Sequence, residues 1–289
     1  MGEEQVYTEY QDADSFLART RAVLESHEAA NGLMLGLALR LVLEPNAYGS
    51  RLPYYATVES AASLQVAALM TPPYKLQIYA QEDYDQAGLG LVAEALLRGG
   101  WPVPGVMGCQ AVAEAFAAIW HDKTGASCRT GMRQRIYELR QVVPPNYPPG
   151  EFRPAAVEDL ELARRWARGF YDDCFDDGHY ERTVATAEEK IKNETLFLWV
   201  DGVPRSMAGR TRPTPHSEAV SFVYTPPSER RKGYASAVVA RLSQQILDEG
   251  RLFCTLYTDL SNPTSNSIYQ KVGYRPIADV IDIEFESRP

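Results

Sequence analysis

Apolar residues recur at three- and four-residue steps from Asp14 onward, where Phe16, Thr20, Val23, Leu24 and His27 predict a helix that Asp14 or Ser15 can cap. Leu33, Leu37 and Leu41 share one face of a second helix over 33–43, which Pro45 stops. Three β-favouring runs follow, 54–59, 63–70 and 75–80, with Pro72-Pro73 turning between the last two. Leu89, Val92, Ala93, Leu96 and Leu97 return to helical spacing, closed by Gly99-Gly100. A short strand over 103–107 comes next, then a helix over 111–123 with Val112, Ala115, Phe116 and Ile119 inward, ended by Gly125. A long strand over 128–143, marked by Met132, Ile136 and Leu139, closes this half.

Four prolines and one glycine then fall in the seven residues Pro144-Pro145-Asn146-Tyr147-Pro148-Pro149-Gly150. Such a run continues neither a helix nor a central strand. The expected division is therefore 1–143, a Pro-rich linker 144–150, and 151–289. Beyond it the pattern predicts a strand over 151–155 and a helix carrying Val157, Leu160, Leu162, Ala163, Trp166 and Phe170, capped near Glu158 or Asp159. After an acidic link, 171–180, come a helix over 184–193 and a strand over 196–200. Asp201-Gly202 is a hairpin turn into a strand over 203–210. Pro213 and Pro215 mark the next turn, and a strand follows over 218–224.

Ala235, Val238, Val239, Leu242, Ile246 and Leu247 line one face of a helix that Gly250 ends. A buried-type strand over 252–258, a polar connection, a short helix over 266–272 capped by Gly273, and strands over 274–278 and 280–285 complete the order. The first half repeats this order of elements without its opening strand. No residue-level repeat accompanies it, so the duplication rests on element order alone.

At 289 residues the chain has room for two domains of roughly 100–200 residues each. A hydrophobic fraction of 45% and a charged fraction of 23% are those of a globular protein. The net charge of -9 argues against a generic nucleic-acid binder. The longest apolar run, 32–43, is interrupted by Arg40 and falls short of the roughly 20 residues that span a bilayer. Met1-Gly2-Glu3-Glu4 has neither the basic start nor the apolar core of a signal peptide, and it does not continue as a myristoylation signal. Cys109, Cys128, Cys174 and Cys254 show no metal-ligand spacing, so reduced thiols in a cytoplasmic protein without a metal are expected.

Against this acidic background one basic loop stands out. The strand-like Ala219-Val220-Ser221-Phe222 leads through Val223-Tyr224-Thr225-Pro226-Pro227 to Arg230-Arg231-Lys232-Gly233 and straight into a helix. A helix start leaves backbone N–H groups unpaired and carries the positive end of the dipole. Gly233 lets the backbone approach an anion closely. The loop is neither a P-loop nor a dinucleotide fingerprint, since it has a single glycine. Taken alone, Arg-x-x-Gly-x-Ala is short enough to arise by chance in a solvated turn.

Its context is more specific. Asn262, Asn266, Tyr269 and Gly273-Tyr274 follow it in order on the next connection and helix. With these motifs, residues 151–285 resemble the GNAT superfamily of acyl-CoA-dependent N-acyltransferases. The resemblance implies an α/β (α+β) fold: two tandem GNAT-like domains, each a mixed, mainly antiparallel sheet flanked by helices, the first of them degenerate. It places Arg230, Gly233 and Ala235 on the family's pyrophosphate loop, with Arg231, Lys232 and Tyr234 between them. It gives the backbone of Val223 and Thr225 to the pantetheine arm, with the Val223 N–H toward the thioester carbonyl. Asn262 and Asn266 match cofactor-binding positions, with helix capping as their plainer role.

Tyr269 matches the family's general acid, with packing as a core tyrosine as the alternative. Glu218 is the candidate general base, or else a solvent-facing strand residue. His179 and the acids from Asp172 to Asp177 form either a rim that attracts a cationic amine or a solvated loop. In the first half, Gln81-Glu82-Asp83-Tyr84-Asp85-Gln86-Ala87-Gly88 is acidic where phosphate would sit. No coenzyme A binding is expected there, and shaping the acceptor site or forming a homodimer are the roles left open.

The expected function is acetyl transfer from acetyl-CoA to a primary amine of a small molecule or peptide, with no metal, nucleic acid or membrane involved. A non-catalytic acyl-CoA sensor and a nucleotide-phosphate binding module are the alternatives.

Overall fold

The computed structural model describes residues 4–61, 63–174 and 180–286. Two compact units emerge: Met1–Ile136 with Asp259–Ser261 and Ile277–Pro289, and Tyr137–Thr258 with Asn262–Pro276. The Pro-rich stretch 144–150 thus lies inside the second unit, and the last strand of the chain counts with the first. Neither unit is one continuous segment.

The chain opens with β1 (Gln5–Tyr10), α1 (Ala13–Ser26), α2 (Glu28–Leu43), β2 (Tyr54–Ser60), β3 (Ser63–Met70) and β4 (Leu76–Ala80). Then follow α3 (Gln86–Arg98), β5 (Gly105–Cys109), α4 (Gln110–Thr124) and β6 (Ser127–Leu139). The first unit's strands lie in the order β1-β2-β3-β4-β5, then β12 (Arg275–Glu286), then β6. The β4·β5 pair is parallel, whereas β1·β2, β2·β3, β3·β4 and β5·β12 are antiparallel.

Strand alternation explains why helices cover both faces of this sheet. Tyr54, Ala56, Val58, Val66, Ala68 and Met70 enter the core under α3 and α4. Tyr55, Ala67 and Leu69 face the core under α1 and α2.

The second unit contains β7 (Glu151–Pro154), α5 (Leu160–Cys174), α6 (Glu181–Lys192), β8 (Leu196–Asp201), β9 (Val203–Thr211) and β10 (Ser217–Tyr224). It continues with α7 (Tyr234–Asp248), β11 (Phe253–Asp259) and α8 (Pro263–Val272). Its strands run β11-β10-β9-β8-β7, parallel only at β10·β11 in the recorded pairings. Phe197, Trp199 and Ala208 face α7 and α8, while Leu196, Leu198 and Met207 face α5 and α6. Each unit is therefore a mixed, mainly antiparallel sheet between two helix pairs.

α2 starts earlier and β6 ends earlier than the pattern-based expectation, and three further differences bear on the topology and the site. β1 supplies the opening strand that the first half was expected to lack. It pairs along β2 as an edge, with Val6 and Glu9 exposed, so polar residues interrupt the apolar signal. α8 begins at Pro263, with Asn262 as its N-cap, because Pro at the first helical position needs no N–H acceptor. The two expected terminal strands are one, β12.

The stretch 144–150 is held by specific contacts. Tyr147 stacks on Trp199 at 5.8 Å between ring centroids, and the Trp199 Nε1–H donates to the Pro149 carbonyl at 3.1 Å.

Candidate active site

The second unit's central feature is a break in β10. Up to Ser221 the strand keeps register with β9, Ser221 lying opposite Gly209; the next recorded pair is Tyr224 opposite Met207. Phe222 and Val223 thus share one partner position, Ala208, which is the count of a β-bulge. Phe222 takes a left-handed φ of 58° to make it. The extra residue flips the faces: Val220 points into the α7–α8 core, but Phe222 and Tyr224 point into the α5–α6 core.

On the other edge, β10 pairs with β11 only from Ser217 to Ala219, the last pair being Ala219 opposite Thr255. From Val220 the two parallel strands part. Backbone N–H and C=O groups along a parted edge can pair with an extended ligand as an added strand would.

The end of β10 is tied down from beneath. Ser206 is buried and donates to the Tyr224 carbonyl at 3.1 Å, and its Oγ lies 2.8 Å from the Thr225 Oγ1. The Thr225 carbonyl already accepts from Arg230 Nε at 2.9 Å.

Beyond a short 3-10 turn, Pro227–Glu229, the chain reverses at Arg231 (φ 63°) and again at Gly233 (φ 89°), which is the N-cap of α7. Gly233 offers no capping side chain, and the first helical bond runs from Ala237 N–H to the Gly233 carbonyl at 3.0 Å. The N–H groups of the first turn are left to an external acceptor. A Cβ at Gly233 would meet Pro148 Cδ at 3.7 Å and the Asn146 carbonyl at 3.9 Å, so the Pro-rich stretch forms one wall beside this turn.

Of the loop cations, Arg230 pairs with Asp173 at 2.5 Å and lies over the Tyr224 ring, while Lys232 pairs with Glu229 at 3.1 Å. Arg231 makes no ion pair or hydrogen bond with any described residue and is exposed. Tyr234 turns its ring inward and donates its hydroxyl to Asp201 at 2.8 Å, and Ala235 is half-buried beside it.

On α8, Tyr269 is 8% exposed and belongs to the same apolar cluster that Val223 packs against. Its ring meets Tyr274 edge-on at 6.1 Å. Its hydroxyl has no hydrogen-bond partner among the described residues. Burial, reinforced by Cys174, holds its pKa well above the ordinary phenol value. Tyr269 therefore stays protonated at neutral pH with its proton uncommitted.

Both asparagines have structural partners. Asn262 Oδ1 accepts from Ser265 N–H at 3.0 Å as the α8 cap. Asn266 donates to the Asn262 carbonyl at 2.7 Å and accepts from the Tyr137 hydroxyl at 2.9 Å.

Glu218 lies elsewhere. It is buried at the start of β10, opposite Cys254, in a two-pronged ion pair with Arg210 at 2.8 and 2.5 Å. Val223 lies five residue steps along the strand from it, roughly 16 Å. Its carboxylate holds β9 to β10, and the position suits neither a base at the splay nor a solvent-facing residue. Of the acidic rim, Asp172 and Asp173 are described, while Asp176, Asp177 and His179 lie outside the described residues. Among the described residues no group of three or more His, Cys, Asp or Glu side chains could hold a metal ion, and no helix is long and apolar enough to cross a membrane.

Ser206, Asp201 and the Asn146–Pro148 wall were not legible as site residues, and the pairing of Asp173 with Arg230 was not either, because each acts through a partner remote in sequence. The broken apolar alternation in Val220-Ser221-Phe222-Val223-Tyr224 was the one available sign of the bulge.

Residues 201–281, which contain the splay, the basic loop and α8, match the family model described as FR47-like protein. No curated protein matches the chain. Among solved structures, a GNAT-family acetyltransferase from Colwellia psychrerythraea is similar at 13% identity, covering 97% of this chain and 100% of that one with a TM-score of 0.58. A tandem GNAT protein from the clavulanic acid biosynthesis pathway is similar at 12% identity, covering 99% and 100% with a TM-score of 0.59. A GCN5-related N-acetyltransferase from Sphaerobacter thermophilus shows 15% identity, coverage of 96% and 95%, and a TM-score of 0.60. At these identities the likeness is one of fold, and the fold is the tandem GNAT fold.

Proposed function

From this tandem GNAT fold we propose that the second unit is an N-acetyltransferase, moving an acetyl group from acetyl-CoA to a primary amine of a small molecule or peptide by direct attack. The observation that carries the reading is the parting of β10 from β11 beyond Ala219, beside a helix start that Gly233 leaves uncapped. The turn from Arg230 to Ala235 would hold the pyrophosphate through the first-turn N–H groups of α7, with Arg231 and Lys232 adding charge. Arg230 would have to exchange Asp173 for phosphate. The edge of β10 at Val223 would pair with the pantetheine arm, and the Val223 N–H would donate to the thioester carbonyl as it gains negative charge.

The amine nitrogen forms the new amide bond and loses one proton, and the carbon–sulfur bond breaks. Tyr269 gives its proton to the departing thiolate and regains one from solvent. With Glu218 committed to Arg210, no side chain is assigned as base, and the amine enters in its neutral form. The four cysteines are free thiols, which fits a cytoplasmic, reducing compartment.

No second acetyl-CoA site is expected in the first unit, although its β4 also pairs with β5 only from Leu76 to Ile78. Its corresponding strand, β4, keeps regular register with β3 from Leu76's neighbour Gln77 to Ala80. Its helix start is also satisfied internally, since Asp85 caps α3 by accepting from Ala87 N–H at 3.0 Å.

An amine panel incubated with acetyl-CoA, read by thiol release, tests the activity, alongside calorimetry with acetyl-CoA and ATP. Saturable acetyl-CoA binding with turnover of at least one amine is expected. Binding without turnover of any amine would leave a sensor, and preference for ATP would overturn the assignment of the loop.

A further inference from the structure

The uncapped turn at Gly233 has a neighbour outside its own loop, the Pro-rich stretch. A Cβ at Gly233 would stand 3.7 Å from Pro148 Cδ and 3.9 Å from the Asn146 carbonyl. Tyr147 lies between those two residues, so its Cα is one peptide step, about 3.8 Å, from the Cα of each. Whatever the turn holds, Tyr147 stands close by. All of these residues belong to the second unit.

The Tyr147 ring is exposed and yet held in place. It is 42% exposed, whereas the Trp199 it stacks on is 4% exposed. The two planes are 12° apart, so Trp199 covers one face of the ring. Tyr147 has no other ring, ion or hydrogen-bond partner among the described residues, which leaves its second face uncommitted. Trp199 is itself fixed, because its Nε1–H is spent on the Pro149 carbonyl. Pro144, Pro145, Pro148 and Pro149 restrict the backbone on both sides. A flat ring held this way loses little freedom when another ring settles on it.

A ligand that uses both features carries phosphate for the turn and, a short way along, a planar ring for Tyr147. In acetyl-CoA the adenosine follows directly on the pyrophosphate. We infer that Tyr147 is the platform on which the adenine of acetyl-CoA stacks, extending the layer begun by Trp199. This rests on the acetyl-CoA assignment above and goes beyond it, giving the base a residue outside the loop and helices of the site. Stacking reads no hydrogen-bonding edge. The platform therefore adds affinity without selecting among purines.

The test uses the full chain, with acetyl-CoA followed by calorimetry and etheno-coenzyme A, whose modified adenine fluoresces, followed by emission. Tyr147→Leu keeps a side chain over Trp199 but removes the aromatic face, and Tyr147→Phe keeps the face. Tyr147→Leu should weaken acetyl-CoA about fivefold or more, while Tyr147→Phe should stay within about twofold of wild type. At saturation the etheno base should be quenched on the wild type and on Tyr147→Phe, and much less on Tyr147→Leu. An unquenched base on the wild type, or unchanged affinity and quenching in Tyr147→Leu, overturns the platform and leaves the acetyl-CoA assignment standing. Weaker binding with quenching intact overturns it too, because Tyr147 would then act only through the wall beside Gly233. If the wild type binds neither probe, the acetyl-CoA assignment falls and the platform with it.

Discussion

Tyr269→Phe deletes one hydroxyl and keeps the ring that packs α8. If that hydroxyl protonates the leaving thiolate, kcat should fall by roughly 10²–10³, while calorimetric affinity for acetyl-CoA stays within about twofold of wild type. Because burial holds its pKa above the ordinary phenol range, the acid remains protonated through moderately alkaline pH. The profile of kcat/KM should therefore rise with the acceptor amine's own deprotonation and show no fall up to about pH 10.

A second residue gives a stability prediction. Lys190 is buried, its ammonium donates to the Arg210 carbonyl at 2.8 Å, and burial lowers its pKa from 10.5 to about 8. The folded value lies below the unfolded one, so burial of the charge opposes folding fully below pH 8 and is relieved as pH rises toward 10.5. Lys190→Met should raise Tm at pH 7 by relieving a cost on the order of 3 kcal/mol, and by much less at pH 10. Tyr269 could be singled out as a candidate in the sequence because it follows a recognisable order of motifs. The true setting of Glu218 was not, because its partner Arg210 sits across a hairpin whose register only the folded strands define.

At the scale of elements, the proposed site depends on two backbone irregularities, the bulge at Phe222–Val223 and the left-handed turn at Gly233. Helices and strands announce themselves by periodicity, and most of their extents followed from it. A bulge is one residue out of step, too small to displace the apolar pattern around it. Gly233→Ala tests the turn. Its new Cβ would meet only ordinary contacts, the nearest at 3.7 Å, so the penalty comes from φ of 89°. That costs about 1–2 kcal/mol, and acetyl-CoA affinity should drop about tenfold by calorimetry, with Tm lowered by a few degrees. Ser206→Ala should instead loosen the end of β10. It removes the bond to the Tyr224 carbonyl, should cost about 1–3 kcal/mol of stability in denaturant titration, and should raise KM for acetyl-CoA more than it lowers kcat.

For the whole molecule, the count of acetyl-CoA bound per chain separates the roles of the two units. One equivalent is expected. Dividing the chain at the Pro-rich stretch should not yield two folded halves, because the first unit's sheet needs β12 between β5 and β6. A fragment of residues 1–143 is expected to lack a cooperative unfolding transition by circular dichroism.

That placement of β12 also sets an order of events during synthesis. Cys109 emerges from the ribosome long before Val280, the residue it pairs with. At roughly 5–20 residues per second the wait is on the order of ten seconds or more. The N-terminal half, first to be made, is thus the last to finish folding. Through that interval the outer edge of β5 is an unsatisfied template, and chaperone dependence in the cell should track this half of the protein and not the half that carries the proposed chemistry.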